Sequence, residues 1–162
     1  MNLVRTVTTG DAPAIARLYN YYVTETTVTF EEEPLLDREI ARRIDEVCAQ
    51  YPWLVYERDR TVLGFAYAGR WKGRSAYRFT AESAVYVDRE ARGGGIGTLL
   101  YTRLIQELRE MGLHRVVACI ALPNPASQKL HEKMGFTKVG EFSEVGFKFG
   151  SWLDVGYWEL KL

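Results

Sequence analysis

The sequence predicts an α/β or α+β fold, a sheet of mixed direction with helices packed on it. Three observations carry this. The hydrophobic period switches between 3.6 and two along the chain, glycine and proline punctuate the switches, and the order that results is strand, two helices, three strands, helix, strand, helix, two strands. At 162 residues the length suits one domain, 1–162, burying about two thirds of its unfolded surface without help from a disulfide or metal.

The short "NLVRTV" reads as the first strand. "TTGDAP" is then a turn in which Asp11 is placed to cap a helix ahead of Pro13, and Ile15, Leu18, Tyr19 and Tyr22 follow at helical spacing. A second helix begins near Asp37, shows Ile40, Ile44 and Val47 on one face, and stops before Pro52. Period two takes over in "WLVYERDRTVLGFAYAG", a hairpin turning at Arg58 to Arg60, and in "AYRFTAESAVYVD", a third long strand. Leu99, Leu100, Leu104, Ile105 and Leu108 make the stripe of a helix ended by Gly112, and the β-branched run "RVVACIAL" suits a central strand. "NPASQKLHEKMG" is a short helix with Asn124 as its cap, Pro125 at its first position and Gly135 past its end. The alternation of "FTKVGEFSEVGFKFGSWLDVGYWELKL" gives two more strands.

Lysine plus arginine balance aspartate plus glutamate at 21 each, which leaves no global field for nucleic acid or an acidic membrane. No run approaches the roughly eighteen apolar residues of a membrane span, and "MNLVRTVTTG" lacks the basic-then-apolar pattern of a leader, so a soluble cytoplasmic protein is expected. Cys48 and Cys119 sit in apolar-periodic segments without paired spacing, and read as buried thiols in a reducing compartment, with no metal called for.

The chemistry begins at "ARGGGIGTLLYTRL", where four glycines, Gly93, Gly94, Gly95 and Gly97, precede a helix. Free amides at a helix start form an anion site, and glycine lets a phosphate oxygen approach consecutive N–H groups. A nucleotide P-loop needs lysine after the last glycine, where Thr98 stands; the dinucleotide fingerprint needs glycine at that same position and an acid about twenty residues on, where Val117, Ala118 and Cys119 stand. Both fail. The pattern Arg/Gln-x-x-Gly-x-Gly/Ala is met by Arg92, Gly93, Gly94, Gly95, Ile96 and Gly97. A flexible connector is the plain alternative.

With "AVYVD" before it and Asn124 and "LHEKMGF" after it, this loop resembles the acyl-CoA site of the GNAT superfamily of N-acetyltransferases. The blocks "LYNYYV", "YPWLV", "AYAGRWKGRSAYRFTAESAVYV", "LPNPAS", "KLHEKMGF" and "GFKFGSWLDVGYW" are similar to its phosphinothricin acetyltransferase branch, across nearly the whole chain. The resemblance implies a mixed, mostly antiparallel sheet, with acyl-CoA bound where strands splay. It also implies a homodimer with its substrate pocket near the subunit interface, and acetyl transfer from acetyl-CoA to the α-amine of a small amino acid such as phosphinothricin, methionine sulfoximine or methionine sulfone. By the same resemblance Arg92 to Thr98 hold the pyrophosphate, Val85, Tyr86 and Val87 hold the pantetheine arm, and Asn124 bonds that arm, with Lys133 a further cofactor candidate.

Two readings attend each remaining residue. Glu82 is an ordinary strand carboxylate or the base that keeps the attacking amine neutral, and the family places its base here. An α-amine near 7.7–8.0 is roughly a tenth neutral at pH 7, so a modest base suffices. His131 stands where many GNAT enzymes carry a tyrosine that protonates the departing thiolate; a histidine on a helix is also an ordinary packing residue. Lys72, Arg74 and Arg78 form either a solvated loop or a clamp for the substrate carboxylate, with Arg74 the first choice. Ser75, Tyr77, Ser83 and Ala84 then line the pocket beside Glu82, and Phe30 is an apolar wall. Neither cysteine lies near these motifs, which agrees with direct attack on the thioester. A protein or peptide N-terminal acetyltransferase and a non-catalytic acyl-CoA sensor are the alternatives.

Overall fold

The computed structural model describes all 162 residues. Its strands are β1 (Asn2–Thr6), β2 (Trp53–Arg58), β3 (Thr61–Arg70), β4 (Thr80–Val87), β5 (Arg115–Ala121), β6 (Thr137–Lys148) and β7 (Ser151–Lys161). Its helices are α1 (Ala12–Glu25), α2 (Asp37–Cys48), α3 (Ile96–Glu110) and α4 (Pro125–Lys133), so the sequence order predicted above is the order found. The sheet runs β1-β2-β3-β4-β5-β7-β6, antiparallel throughout except between β4 and β5.

Two cores sandwich the middle of the sheet. On β2, Trp53 and Val55 pack with α1 and α2, while Leu54 and Tyr56 pack with α3 on the other face. All four are buried, which is why "WLVY" has no polar alternation. Each fully buried apolar side chain of this size contributes about 1.5–3 kcal/mol. The hairpin that follows turns on Asp59 and Arg60, both at positive φ, the sense a two-residue connection between twisted strands requires.

Four local expectations are corrected. β4 begins at Thr80, because Ser75–Tyr77 wind into a 3₁₀ turn, with the Tyr77 and Arg78 amides bonded back to Arg74 and Ser75. Asp11 sits at the helix start but does not cap α1: its carboxylate accepts from the Arg5 guanidinium at 2.9 and 2.8 Å and from the Thr8 amide at 2.8 Å. Leu99 lies outside the α3 stripe, half exposed, one residue off the buried line of Leu100, Leu104 and Leu108. Cys48 and Cys119 are both exposed rather than buried. Cys48 is the last residue of α2, and Cys119 faces a gap that opens in the sheet.

That gap is the feature that positions the site. β4 and β5 pair only from Thr80 and Arg115 to Ser83 and Ala118. Beyond them β4 runs on to Val87 bonded to β3 alone, and β5 runs on to Ala121 bonded to β7 alone. The two parallel strands therefore splay at their carboxyl ends, where each feeds a helix, α3 and α4. Such a divergence is where sheets of this kind accept ligands, since the facing backbone edges are unspent.

Candidate active site

The splay opens as a cleft of two lobes that meet at Val28, Val85, Asn124 and Ser127. The first lobe, about 470 Å³, runs along Val85 and Val87 to the loop Arg92–Thr98 and the outer face of α4. Gly93 and Gly95 hold φ of +81° and +76°, left-handed values that suit glycine, and a Cβ on either would point into open space. Gly95 is also the residue from which α3 starts, so the first amides of that helix face the cleft with their dipole behind them. Gly97 serves a different need: a Cβ there would lie 2.9 Å from Leu130 Cδ2, so its absence lets α3 and α4 close together.

Charge and tethering complete this lobe. Arg92 stacks over Tyr21 and Tyr22, whose hydroxyl at residue 22 donates to the Val87 carbonyl at 2.5 Å, tying the loop, α1 and the tip of β4. Lys129 and Lys133 line the opposite wall, with Lys133 Nζ donating to Thr98 Oγ1 at 3.4 Å. Asn124 Oδ1 accepts from the Ser127 amide at 3.2 Å and caps α4, as its position predicts. Three cations and a glycine-lined helix start at one end, with an apolar strand edge leading inward, fit a pyrophosphate joined to an extended arm. Gly94 stays on the exposed side of the loop, and the Tyr86 ring turns away to pack edge-on against Tyr19 and Tyr22.

The second lobe, about 300 Å³, is lined mostly by apolar side chains around a few polar ones, as expected for a small-molecule site. β4 brings Glu82, Ser83 and Ala84, β5 brings Cys119, α3 brings Tyr101, α4 brings His131, and the loop after α1 brings Thr29 and Phe30. Burial raises the Glu82 pKa above the usual carboxylate range, and the positive charge of Lys72 opposes this only in part.

His131 is buried and both ring nitrogens are engaged. Nδ1 lies 2.7 Å from the Ser127 carbonyl oxygen, which can only accept, so Nδ1 carries the hydrogen and donates it. Nε2 then accepts from the Tyr101 hydroxyl at 2.9 Å, and that hydroxyl accepts from Ser83 Oγ at 3.2 Å. Burial lowers the His131 pKa and raises that of Tyr101, so both are neutral at neutral pH.

Phe30, Glu82, Ser83, Ala84 and His131 thus gather in one lobe, as the sequence predicts. Arg74, Ser75 and Tyr77 do not join them: they stand exposed on the segment before β4, outside the lining of the lobe. Of the three cations in that segment, Lys72 is the one whose charge is felt at Glu82. The placement of Cys119 is a correction, since the sequence reading put neither cysteine near the motifs. Although the residue is exposed at the gap, partial desolvation of its thiol and the Glu82 charge raise its pKa against a bond with Tyr157, so it stands in the pocket as a thiol rather than a thiolate. Tyr101, Thr29 and Ser127 were missed too. Ser127 alone left a signal, lying one helical turn before His131.

The acetyltransferase (GNAT) domain family matches residues 4–156. A phosphinothricin N-acetyltransferase of Streptomyces viridochromogenes is 41% identical, over 96% of this chain and 85% of that protein. An L-methionine sulfoximine/L-methionine sulfone acetyltransferase of Salmonella typhimurium is 36% identical over 98% and 94%. The crystal structure of a GNAT superfamily phosphinothricin acetyltransferase from Sinorhizobium meliloti in complex with acetyl-CoA superposes with a TM-score of 0.96 at 34% identity, covering 99% of this chain and 88% of that one. Splayed strands, a glycine loop at a helix start and a match spanning almost every residue agree: the chain belongs to the GNAT family of acetyltransferases.

Proposed function

We propose that the protein, acting as a single catalytic domain, transfers acetyl from acetyl-CoA to the α-amine of a small amino acid of the phosphinothricin, methionine sulfoximine or methionine sulfone type. The observation that carries this is Glu82, a carboxylate with a raised pKa in a small lobe that opens directly onto the phosphate-binding lobe. Acetyl-CoA supplies the acetyl thioester. Arg92 to Thr98 and Lys133 hold its pyrophosphate, the open edge from Val85 to Val87 and Asn124 hold its arm, and the free amine comes from the acceptor lobe.

Glu82, whose raised pKa makes it a stronger base than a free carboxylate, takes the proton of the attacking amine directly or through one water; as the N–C bond forms the thioester C–S bond breaks, and CoA leaves as a thiolate that takes up a proton from water. Attack is direct, since the pocket's cysteine is held as a thiol by partial desolvation and by the Glu82 charge. His131 belongs to the catalytic set through the Ser83–Tyr101–His131 chain, in which it is an acceptor; direct donation by its ring would need a protonation that burial opposes. Ser83, Ala84 and Phe30 shape the acceptor end. Arg74, whose guanidinium donates to no group of this chain, is exposed outside the lobe with Ser75 and Tyr77, so its pairing with the acceptor carboxylate requires that segment to fold over the lobe.

A homodimer and a cytoplasmic location belong to the same reading. Phe142, Val145, Phe147 and Trp152 stand exposed on the β6–β7 end, an apolar face that a second copy would cover, and both thiols are unpaired. A solution mass of one chain overturns the dimer. Thiol release from acetyl-CoA is the test of function, across free amino acids, their sulfoximine, sulfone and phosphinic analogues, and peptides. Turnover of the small amino acids is expected; turnover of peptides alone points to an N-terminal acetyltransferase, and binding of CoA without turnover to a sensor.

A further inference from the structure

β6 is an edge strand of twelve residues, and only Gly146 and Lys148 on it are buried. Two positions apart, they share one face of the strand, and that face meets the loop after α1. Lys148 is 1% exposed, and its Nζ donates to the Thr29 carbonyl at 2.8 Å. A Cβ on Gly146 would fall 2.2 Å from Phe30 Cε2, so the Phe30 ring lies directly on the strand backbone.

A lysine ammonium has three hydrogens to donate, and here one carbonyl takes one of them. Glu32 and Glu31 add attraction without an ion pair, and burial still draws the Lys148 pKa below its ordinary value. Withdrawing a cation from water for one hydrogen bond and one contact with the face of the Phe149 ring, 4.9 Å from its centroid, is a poor exchange in stability. Position gives it a use. The Thr29 hydroxyl is bonded to Tyr19 at 2.7 Å, Tyr19 also donates to Glu31, and Arg43 grips that same carboxylate. The loop is therefore held by α1 and α2 on one side and by β6 on the other, with Phe30 between them over the acceptor lobe.

We infer that Lys148 is a positioning residue for the amino-acid acceptor: its bond to Thr29, with the Gly146 backbone beneath the ring, fixes where Phe30 closes the lobe and so which side chains fit. This rests on the acceptor reading given above. No residue of β6 lines the phosphate lobe, and of residues 28–30 only Val28 reaches it, so acetyl-CoA binding is affected far less than the acceptor.

The test is Lys148→Met, with Lys148→Arg as the conservative variant. The KM of the preferred amino acid rises on the order of tenfold in Lys148→Met while that of acetyl-CoA stays within about twofold, and Lys148→Arg recovers part of the loss. In a Phe30→Ala background Lys148→Met adds little, because the ring it places is gone. Gly146→Ala, which displaces that ring with Lys148 intact, gives the same selective rise and carries the test if Lys148→Met fails to fold. Hydrogen exchange at the amides of residues 28–32 accelerates in Lys148→Met, with residues 93–98 unaffected. Exchange needs no substrate, so a wild-type protein that acetylates no amino acid refutes the acceptor reading while the exchange result still judges the clamp. Unchanged exchange at 28–32, equal rises in both KM values, or a full additional loss in the Phe30→Ala background overturns the inference.

Discussion

The phosphate lobe draws its charge from Arg92 and two lysines a turn apart on α4, around one short glycine-rich stretch of backbone; the acceptor lobe gathers side chains from four strands, three helices and the loop after α1. A group that is the same on every nucleotide-bearing cofactor can be held by main-chain amides, and main-chain geometry is written in a few adjacent residues. An acceptor that must be chosen by shape needs side chains from many directions. The division predicts that damage to one lobe leaves the other's affinity intact, and that only groups at the reacting amine affect the rate itself.

The largest effect belongs to Glu82→Gln. Loss of the base lowers kcat by about 10²–10⁴-fold, while the affinity for acetyl-CoA, measured by calorimetry, holds. The pH profile adds a sign. The pKa of the free enzyme is raised, so the Glu82 contribution to wild-type kcat/KM is lost as pH drops through a value above the usual carboxylate range, and the variant lacks that contribution. A variant with the wild-type rate and profile removes Glu82 from the reaction.

Gly95→Val probes the other lobe. A β-branched residue at φ +76° costs about 1–3 kcal/mol of strain, enough to move the loop and raise the KM of acetyl-CoA about tenfold or more. The amino-acid KM stays as it was. A parallel rise in both constants would mean that the lobes are not separable.

The same contrast explains what the sequence made legible. Arg92, the four glycines and Asn124 could be found because glycine crowding, a helix start and an Asn-Pro cap are local signals. The order of elements was legible for the same reason, through changes of period. Tyr101 was not: as one of the apolar-looking residues of α3 it reads as core, and only the fold brings its hydroxyl to His131. The start of β4 was misread because "AYRF" alternates as well as a strand does, while the bonds of a 3₁₀ turn leave no trace in hydropathy. Lys148 was hidden likewise, since a lysine near the end of an edge strand ordinarily points to water.

Cys119 gives the smallest effect and divides two mechanisms. It stands at the end of β5 where the strands have parted, in the lobe with Glu82, a position from which a thiol could in principle carry the acetyl group between substrates. Its environment argues the other way: partial desolvation and the Glu82 charge both hold the proton on sulfur, and a thiol attacks a thioester far more slowly than a thiolate. If Cys119 is only a wall of the pocket, Cys119→Ala keeps kcat within about threefold and initial-rate plots intersect, as they do when both substrates must be bound together. If it carries acetyl, the variant is inactive and wild-type plots run parallel, with an enzyme species heavier by one acetyl trapped when acetyl-CoA is mixed alone. Alkylation of the wild-type thiol nonetheless blocks amino-acid turnover, because the added group occupies the lobe where the acceptor must sit.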